Sequence, residues 1–110
     1  MKLSIATLAC TILTAVNAYP GVYLCTDSGF TGTCVHIDHN RPGTCAHLGG
    51  DLGGKVSSVG PDNNAGRCLM FTGGDCDGDN YYSIFPGDPD LSTLYGGKYN
   101  DRIYSFKCGV

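Results

Sequence analysis

The chain has 110 residues, with 17 glycines, 7 cysteines and no tryptophan, and its ten acidic residues outnumber seven Lys and Arg for a net charge of −3. That balance excludes nucleic acid as a partner, because neutralising phosphates needs a basic face, and it opposes electrostatic attack on anionic membranes. Every acid is Asp and none is Glu, which with the abundant Gly makes a turn-rich composition.

Taken in chain order, the first element is a leader. Lys2 gives a positive start, Leu3 to Val16 is apolar and uncharged, and Val16-Asn17-Ala18 puts small residues at the usual cleavage positions. A secretory signal over residues 1–18 is expected, with the protein secreted and extracellular. The apolar run is fourteen residues, short of the roughly 20 needed to span a bilayer, so no integral membrane anchor is expected. Cleavage would leave ten acids against six bases, a net charge of −4, and would remove Cys10 with Lys2.

The remaining segment, 19–110, is expected to be one domain, without N-glycosylation because no Asn-x-Ser/Thr sequon occurs. Its six cysteines are Cys25, Cys34, Cys45, Cys68, Cys76 and Cys108. An even number in a small exported domain reads as three disulfides. A domain this short buries little apolar surface, and each bridge adds about 2–4 kcal/mol. Spacing alone does not choose the pairing. A zinc site is disfavoured because no Cys-x-x-Cys occurs.

No stretch of the mature chain has helical apolar spacing. Short runs at Gly21–Leu24, Cys34–Ile37, Val56–Val59, Tyr81–Phe85 and Ile103–Phe106 read as strands, so the class is all-β.

The chain also repeats itself. Residues 23–32, YLCTDSGFTG, align without gaps on residues 69–78, LMFTGGDCDG, sharing Thr26 with Thr72 and Gly32 with Gly78. Pro42-Gly43 before Leu48 answers Pro86-Gly87 before Leu91, and Ser57-Ser58-Val59 answers Tyr104-Ser105-Phe106. The offset stays between 43 and 47 residues. Two units of about four strands follow, one over about 19–60 and one over about 66–110. Each is too small to bury its own apolar face, and two stacked sheets can.

Aromatic-x-x-x-Asp-x-x-Phe-x-Gly, then Pro-Gly, then a loop ending Ser-Ser, resembles the βγ-crystallin Greek-key motif. The first copy carries it through Tyr23, Asp27, Phe30, Gly32 and Ser57-Ser58. The second departs from it, with Gly73 in place of Asp27 and Cys76 in place of Phe30. The resemblance implies a sandwich of eight strands in which the motifs exchange a strand. It implies that Gly32 takes a turn conformation a side chain would obstruct, and that a covalent staple at Cys76 replaces the Phe30 ring. It also implies a Cys68–Cys108 bridge, since a motif's last strand lies beside its first.

The same resemblance raises calcium. Many of these domains bind it through loops of the form Asn/Asp-Asn/Asp-x-x-Ser/Thr-Ser. Here Asn100 and Asp101 are followed by Tyr104 where Ser or Thr belongs, while Ser57 and Ser58 are preceded by Gly53 and Gly54 at the acidic positions. Calcium takes six to eight oxygen ligands. One composite site from Asp101 and Ser57 is implied, but plain structural turns are the preferred reading, and no cofactor is expected.

Other constellations are weaker. Asp75-Cys76-Asp77-Gly78-Asp79-Asn80 has alternating acids, but Asn80 stands at the EF-hand glycine position and Pro86 at that of the bidentate Glu, so a solvated hairpin tip is expected. His36 and Asp38 share a strand face while His39 points away, and with His47 they read as surface histidines. No Gly-x-Ser-x-Gly, His-Glu-x-x-His or free thiol is present, so no enzyme is expected.

The small secreted cysteine-bridged βγ-crystallin-like proteins include fungal effector candidates, yeast killer toxins, plant antimicrobial proteins and a bacterial metalloproteinase inhibitor. The chain is most similar to the fungal effector type. A monomeric, non-enzymatic interaction module is therefore expected, with a protein or cell-wall glycan partner outside the cell. Tyr81, Tyr82, Tyr95 and Tyr99 are its candidate anchors, weighed evenly against a core role. An antimicrobial or killer-toxin-like role is opposed by the acidic charge. A protease inhibitor would need an exposed rigid loop at Gly60–Arg67, which also reads as the linker between motifs.

Overall fold

The computed structural model describes residues 20–38 and 42–109. The expected leader, Cys10 and His39 lie outside the described residues.

Strands β1 (Gly21–Asp27) and β2 (Thr31–Asp38) form a hairpin, and β1 also pairs with β4 (Ser58–Pro61), giving the three-stranded sheet β2-β1-β4. The second sheet runs β3-β7-β5-β6, from β3 (Ala46–His47), β5 (Cys68–Phe71), β6 (Asn80–Ser83) and β7 (Ser105–Cys108). All pairings are antiparallel. The fold is all-β, as the alternating short runs indicated.

The two hairpins superpose in register. Leu24 lies opposite Val35 and Val59, and Met70 opposite Tyr81 and Phe106. Leu24, Val59, Met70 and Phe106 are fully buried and, with Val22, Val56, Leu91 and Ile103, form the core between the sheets. The shared residues of the repeat have equivalent tasks. Thr26 Oγ1 accepts from the Thr33 amide at 3.0 Å, and Thr72 Oγ1 from the Asp79 amide at 3.1 Å. Ser58 Oγ accepts from the Phe30 amide at 3.2 Å and donates to the Asp27 carbonyl at 2.7 Å. Ser105 Oγ accepts from the Cys76 amide at 2.8 Å and donates to the Gly73 carbonyl at 2.5 Å. Gly32 and Gly78 both have φ +83°, and a Cβ on either would lie within 2.8 Å of the neighbouring threonine hydroxyl.

The motifs exchange strands. β3 belongs to the first motif but pairs with β7 of the second, and Asp88 of the second pairs with Val59 of the first through two backbone hydrogen bonds of 2.7 and 3.0 Å. The eighth strand is thus a single bridge at Asp88, because Pro86 and Pro89 flank it and proline cannot donate to a ladder. Other boundaries differ from the sequence reading as well, among them that of β7, which begins at Ser105 and leaves Ile103 and Tyr104 before it. Val56 and Ser57 precede β4, and β6 ends at Ser83, leaving Ile84 and Phe85 in the following loop.

Three disulfides staple this frame. Cys25–Cys34 and Cys68–Cys108 join directly opposed strand positions, and Cys45–Cys76 ties the approach to β3 to the second hairpin. The Cys68–Cys108 pairing is the one the family resemblance implied. Cys76 shares the left-handed conformation of Phe30, at φ 55° against 57°. The Phe30 ring stacks on Tyr23, whereas Cys76 makes a covalent link at the equivalent turn.

Candidate functional site

The loops before β4 and β7 meet at one end of the sandwich. The Gly54 amide bonds the Ile103 carbonyl, and the Asp101 amide bonds the Val56 carbonyl, so Gly54 and Asp101 occupy equivalent places. Both have a left-handed backbone, φ 76° and 59°.

The two clefts flanking this crossing are unlike. In one, Ser57 Oγ donates to Asp101 Oδ1 at 3.4 Å, so the chain brings together two residues that stand 44 positions apart. A polar cleft of about 310 Å³ adjoins them, lined by Asp27, Ser28, Ser57, Asp90, Ser92 and Asn100. Asn100 Oδ1 is buried there without a hydrogen-bond partner. These are hard oxygen donors of the kind calcium takes. Among the described residues, however, no group of three or more His, Cys, Asp or Glu side chains converges on one point. A cation here would need hydroxyl, amide and backbone oxygens as well. In the other cleft the Tyr104 phenol lies over the loop. A Cβ at Gly54 would sit 2.3 Å from Tyr104 Oη, and one at Gly53 3.2 Å from Tyr104 Cδ1. The glycines and the tyrosine are therefore one coupled change, and this half does not fit a metal.

The remaining candidates separate. His36 Nδ1 stands 3.1 Å from Asp38 Oδ1 and Nε2 2.9 Å from Asp62 Oδ2, while Asp62 Oδ2 also accepts from the Gly21 amide at 2.7 Å. The imidazole thus clamps the edge strand to the linker, and Asp62 was invisible to sequence reasoning because nothing local marks it. His47 Nδ1 bonds the Gly74 carbonyl at 2.6 Å. Asp75, Asp77 and Asp79 follow a hairpin tip, with Asp79 paired to Lys98 at 3.8 Å. In the Gly60–Arg67 segment, Gly60 and Pro61 are the buried end of β4 and Ala65 is buried, while Asn63, Asn64, Gly66 and Arg67 are exposed.

The four tyrosines divide. Tyr81 and Tyr99 belong to the core. Tyr81 Oη and Ser83 Oγ both donate to Asp88 Oδ2, at 3.2 and 2.7 Å, latching the second motif's bridge to its own sheet. Burial, with the Asp88 carboxylate, pushes the Tyr81 phenol far above its ordinary range. Tyr82 and Tyr95 are exposed. Tyr82 points outward under the Arg67 guanidinium, 4.4 Å from the ring centre. With Ile84 and Phe85, 56% and 52% exposed, it makes three large apolar side chains in four residues at the surface. The sequence reading missed Ile84 and Phe85 as surface residues. The cue was Pro86, which ends a strand early.

No protein-family model and no curated protein sequence matches the chain. Solved structures do. A βγ-crystallin from Ciona intestinalis is 21% identical with a TM-score of 0.61, covering 79% of this chain and 96% of its own. A βγ-crystallin from an archaeon is 16% identical with a TM-score of 0.65, covering 82% and 98%. The βγ-crystallin domain of Abundant Perithecial Protein from Neurospora crassa, solved in a Ca2+-bound form, is 16% identical with a TM-score of 0.57, covering 83% and 89%. The chain has the βγ-crystallin fold.

Proposed function

We propose that this chain is a non-enzymatic, extracellular interaction module that docks a partner protein through the Tyr82–Phe85 surface. The observation that carries the reading is the exposed run Tyr82, Ile84 and Phe85 beside Arg67 on a frame held by three disulfides. Aromatic residues and Arg dominate protein–protein hot spots, and a rigid frame lowers the entropy lost on docking. Export rests on the charge and apolar pattern of residues 1–18. Secreted chain is expected to begin at Tyr19, which mass spectrometry of culture medium reads directly.

The docking test uses fluorescently labelled, oxidised protein on a panel of intact plant and microbial cells, with and without trypsin treatment of the surface. Saturable binding is expected, removed by trypsin and abolished in the Ile84→Ser/Phe85→Ser variant. Both side chains are exposed, so the variant should fold within about 0.5 kcal/mol per site. Binding indifferent to both treatments would sink the docking reading. Growth arrest of the bound cells would shift it toward a killer-toxin-like role.

A second reading, calcium binding, is supported by the buried, unpartnered Asn100 Oδ1 beside Asp101 and Ser57, and by the Ca2+-bound form of the Neurospora domain. It assigns at most one ion per chain. Calorimetry on the wild type and Asp101→Ala tests it, and equal heats in the two would end it.

A further inference from the structure

We propose that the extra length of the second motif's long loop carries a carbohydrate site, with the Tyr95 ring as the stacking platform for a neutral pyranose. This site uses none of the side chains of the Tyr82–Phe85 docking surface.

Comparison of the two motifs isolates the segment. The loops begin at equivalent hydrogen bonds, Leu48 amide to Tyr104 carbonyl and Leu91 amide to Ser57 carbonyl. They end at equivalent ones too, Gly54 to Ile103 and Asp101 to Val56. The offset between the motifs rises from 43 to 47 across the loop, so the second is four residues longer. The first motif closes the same fold without them. The added length accommodates the short 3-10 turn Leu94–Gly97.

That turn presents one aromatic ring. Tyr95 is 64% exposed, the highest among the exposed large apolar side chains of the described residues. Its φ of 48° and ψ of 42° lie in the left-handed region, which a bulky side chain rarely adopts. Such conformations persist where neighbours over-determine them. The neighbours here are Tyr81 and Tyr99, whose ring centres lie 5.9 and 6.0 Å away at interplanar angles of 67° and 77°. Both contacts are edge-to-face, so neither ring lies parallel over a face of Tyr95. The ring is fixed by two partners and largely open to solvent.

The surroundings favour a sugar over a protein. A protein hot spot sits in a collar of side chains that excludes water. Tyr95 is flanked along the chain by Thr93, Gly96 and Gly97, and its immediate neighbour Leu94 packs inward against the core. The Tyr99 ring that supports it also carries the Lys98 ammonium, 5.5 Å from its centre, and that ammonium pairs with Asp79 at 3.8 Å. A pyranose has an apolar C–H face ringed by hydroxyls. The Tyr95 ring suits the first, and the Lys98–Asp79 pair over the adjoining Tyr99 ring offers a donor and an acceptor suited to the second. The acidic net charge of the chain selects neutral sugars over anionic ones.

The experiment titrates laminarihexaose, cellohexaose and chitohexaose into the oxidised protein by calorimetry, with tyrosine emission as a second readout because the chain lacks Trp. Saturable binding of at least one hexaose is expected. Tyr95→Asn, which suits a left-handed backbone, should weaken it about tenfold or more, and Tyr95→Trp should keep or tighten it. Ile84→Ser/Phe85→Ser should leave it unchanged, which separates this site from the docking surface. No binding of any hexaose by the wild type would overturn the proposal. So would undiminished binding by Tyr95→Asn, or loss of binding by Tyr95→Trp with its thermal midpoint unchanged.

Discussion

Tyr81 shows how a buried hydroxyl ties stability to pH. Its phenol is held neutral by burial and by the Asp88 carboxylate it donates to, so its folded pKa lies above the ordinary value of 10.0. A raised folded pKa gives a contribution fully present below the ordinary tyrosine value. It is lost as pH rises toward the folded value, because the unfolded chain ionises first. The urea midpoint is therefore expected to hold steady from pH 7 to 9 and to fall above about pH 10. Tyr81→Phe should cost about 1 kcal/mol at neutral pH through the lost hydrogen bond and should flatten the alkaline fall. An alkaline limb of equal slope in both proteins would show that Tyr81 is not its source. At this scale the sequence was partly legible. The shared Thr, Gly and Ser of the repeat announced their equivalent roles, since each Thr and Ser satisfies a backbone group in the same turn and each Gly takes its left-handed position. The latch at Asp88 was not legible, because its partners are set by which strand of the second motif meets the first sheet.

At the scale of elements, the weakest piece is β3. Its two residues cannot hold a ladder position by themselves. Three features hold it: the Cys45–Cys76 bridge, the Gly43 amide bonded to the Cys108 carbonyl at 2.8 Å, and the Leu48 amide bonded to the Tyr104 carbonyl at 3.0 Å. Removal of the bridge in Cys45→Ser/Cys76→Ser is expected to cost about 2–4 kcal/mol in urea unfolding. It should also speed hydrogen exchange at Ala46 and Leu48 before the β1–β2 hairpin is affected. Unchanged exchange at Leu48 alongside lower global stability would mean that the bridge acts on the unfolded chain alone. The hairpins were readable from the near-constant offset of the repeat, because cross-strand register follows spacing. The exchanged strand carries no periodic signal in two residues, and the four-residue lengthening hides in a loop whose two ends both align.

At the scale of the molecule, two near-equivalent halves have been made to differ at matching places. Where the first motif has Gly54, the second has Asp101, and where the first has Ser57, the second has Tyr104. The backbone at 54 already has the left-handed conformation that Asp101 adopts, and Asp tolerates it. What excludes a carboxylate there is the phenol, 2.3 Å from the position of a Cβ. Gly54→Asp alone should force the half-exposed Tyr104 ring outward and lower stability by about 1 kcal/mol. Gly54→Asp/Tyr104→Ser removes the obstruction and gives this cleft the same Asp and Ser that the other one has. The double variant is therefore expected to bind one calcium ion per chain more than the wild type in titration calorimetry, with a thermal midpoint that rises on adding calcium. No added ion, in a double variant whose circular dichroism matches the wild type, would mean that the tyrosine plug is not what separates the two halves. The cleft holding Asp101 and Ser57 would then owe its character to Asn100 and the longer second loop, where the motifs differ in length as well as in side chains.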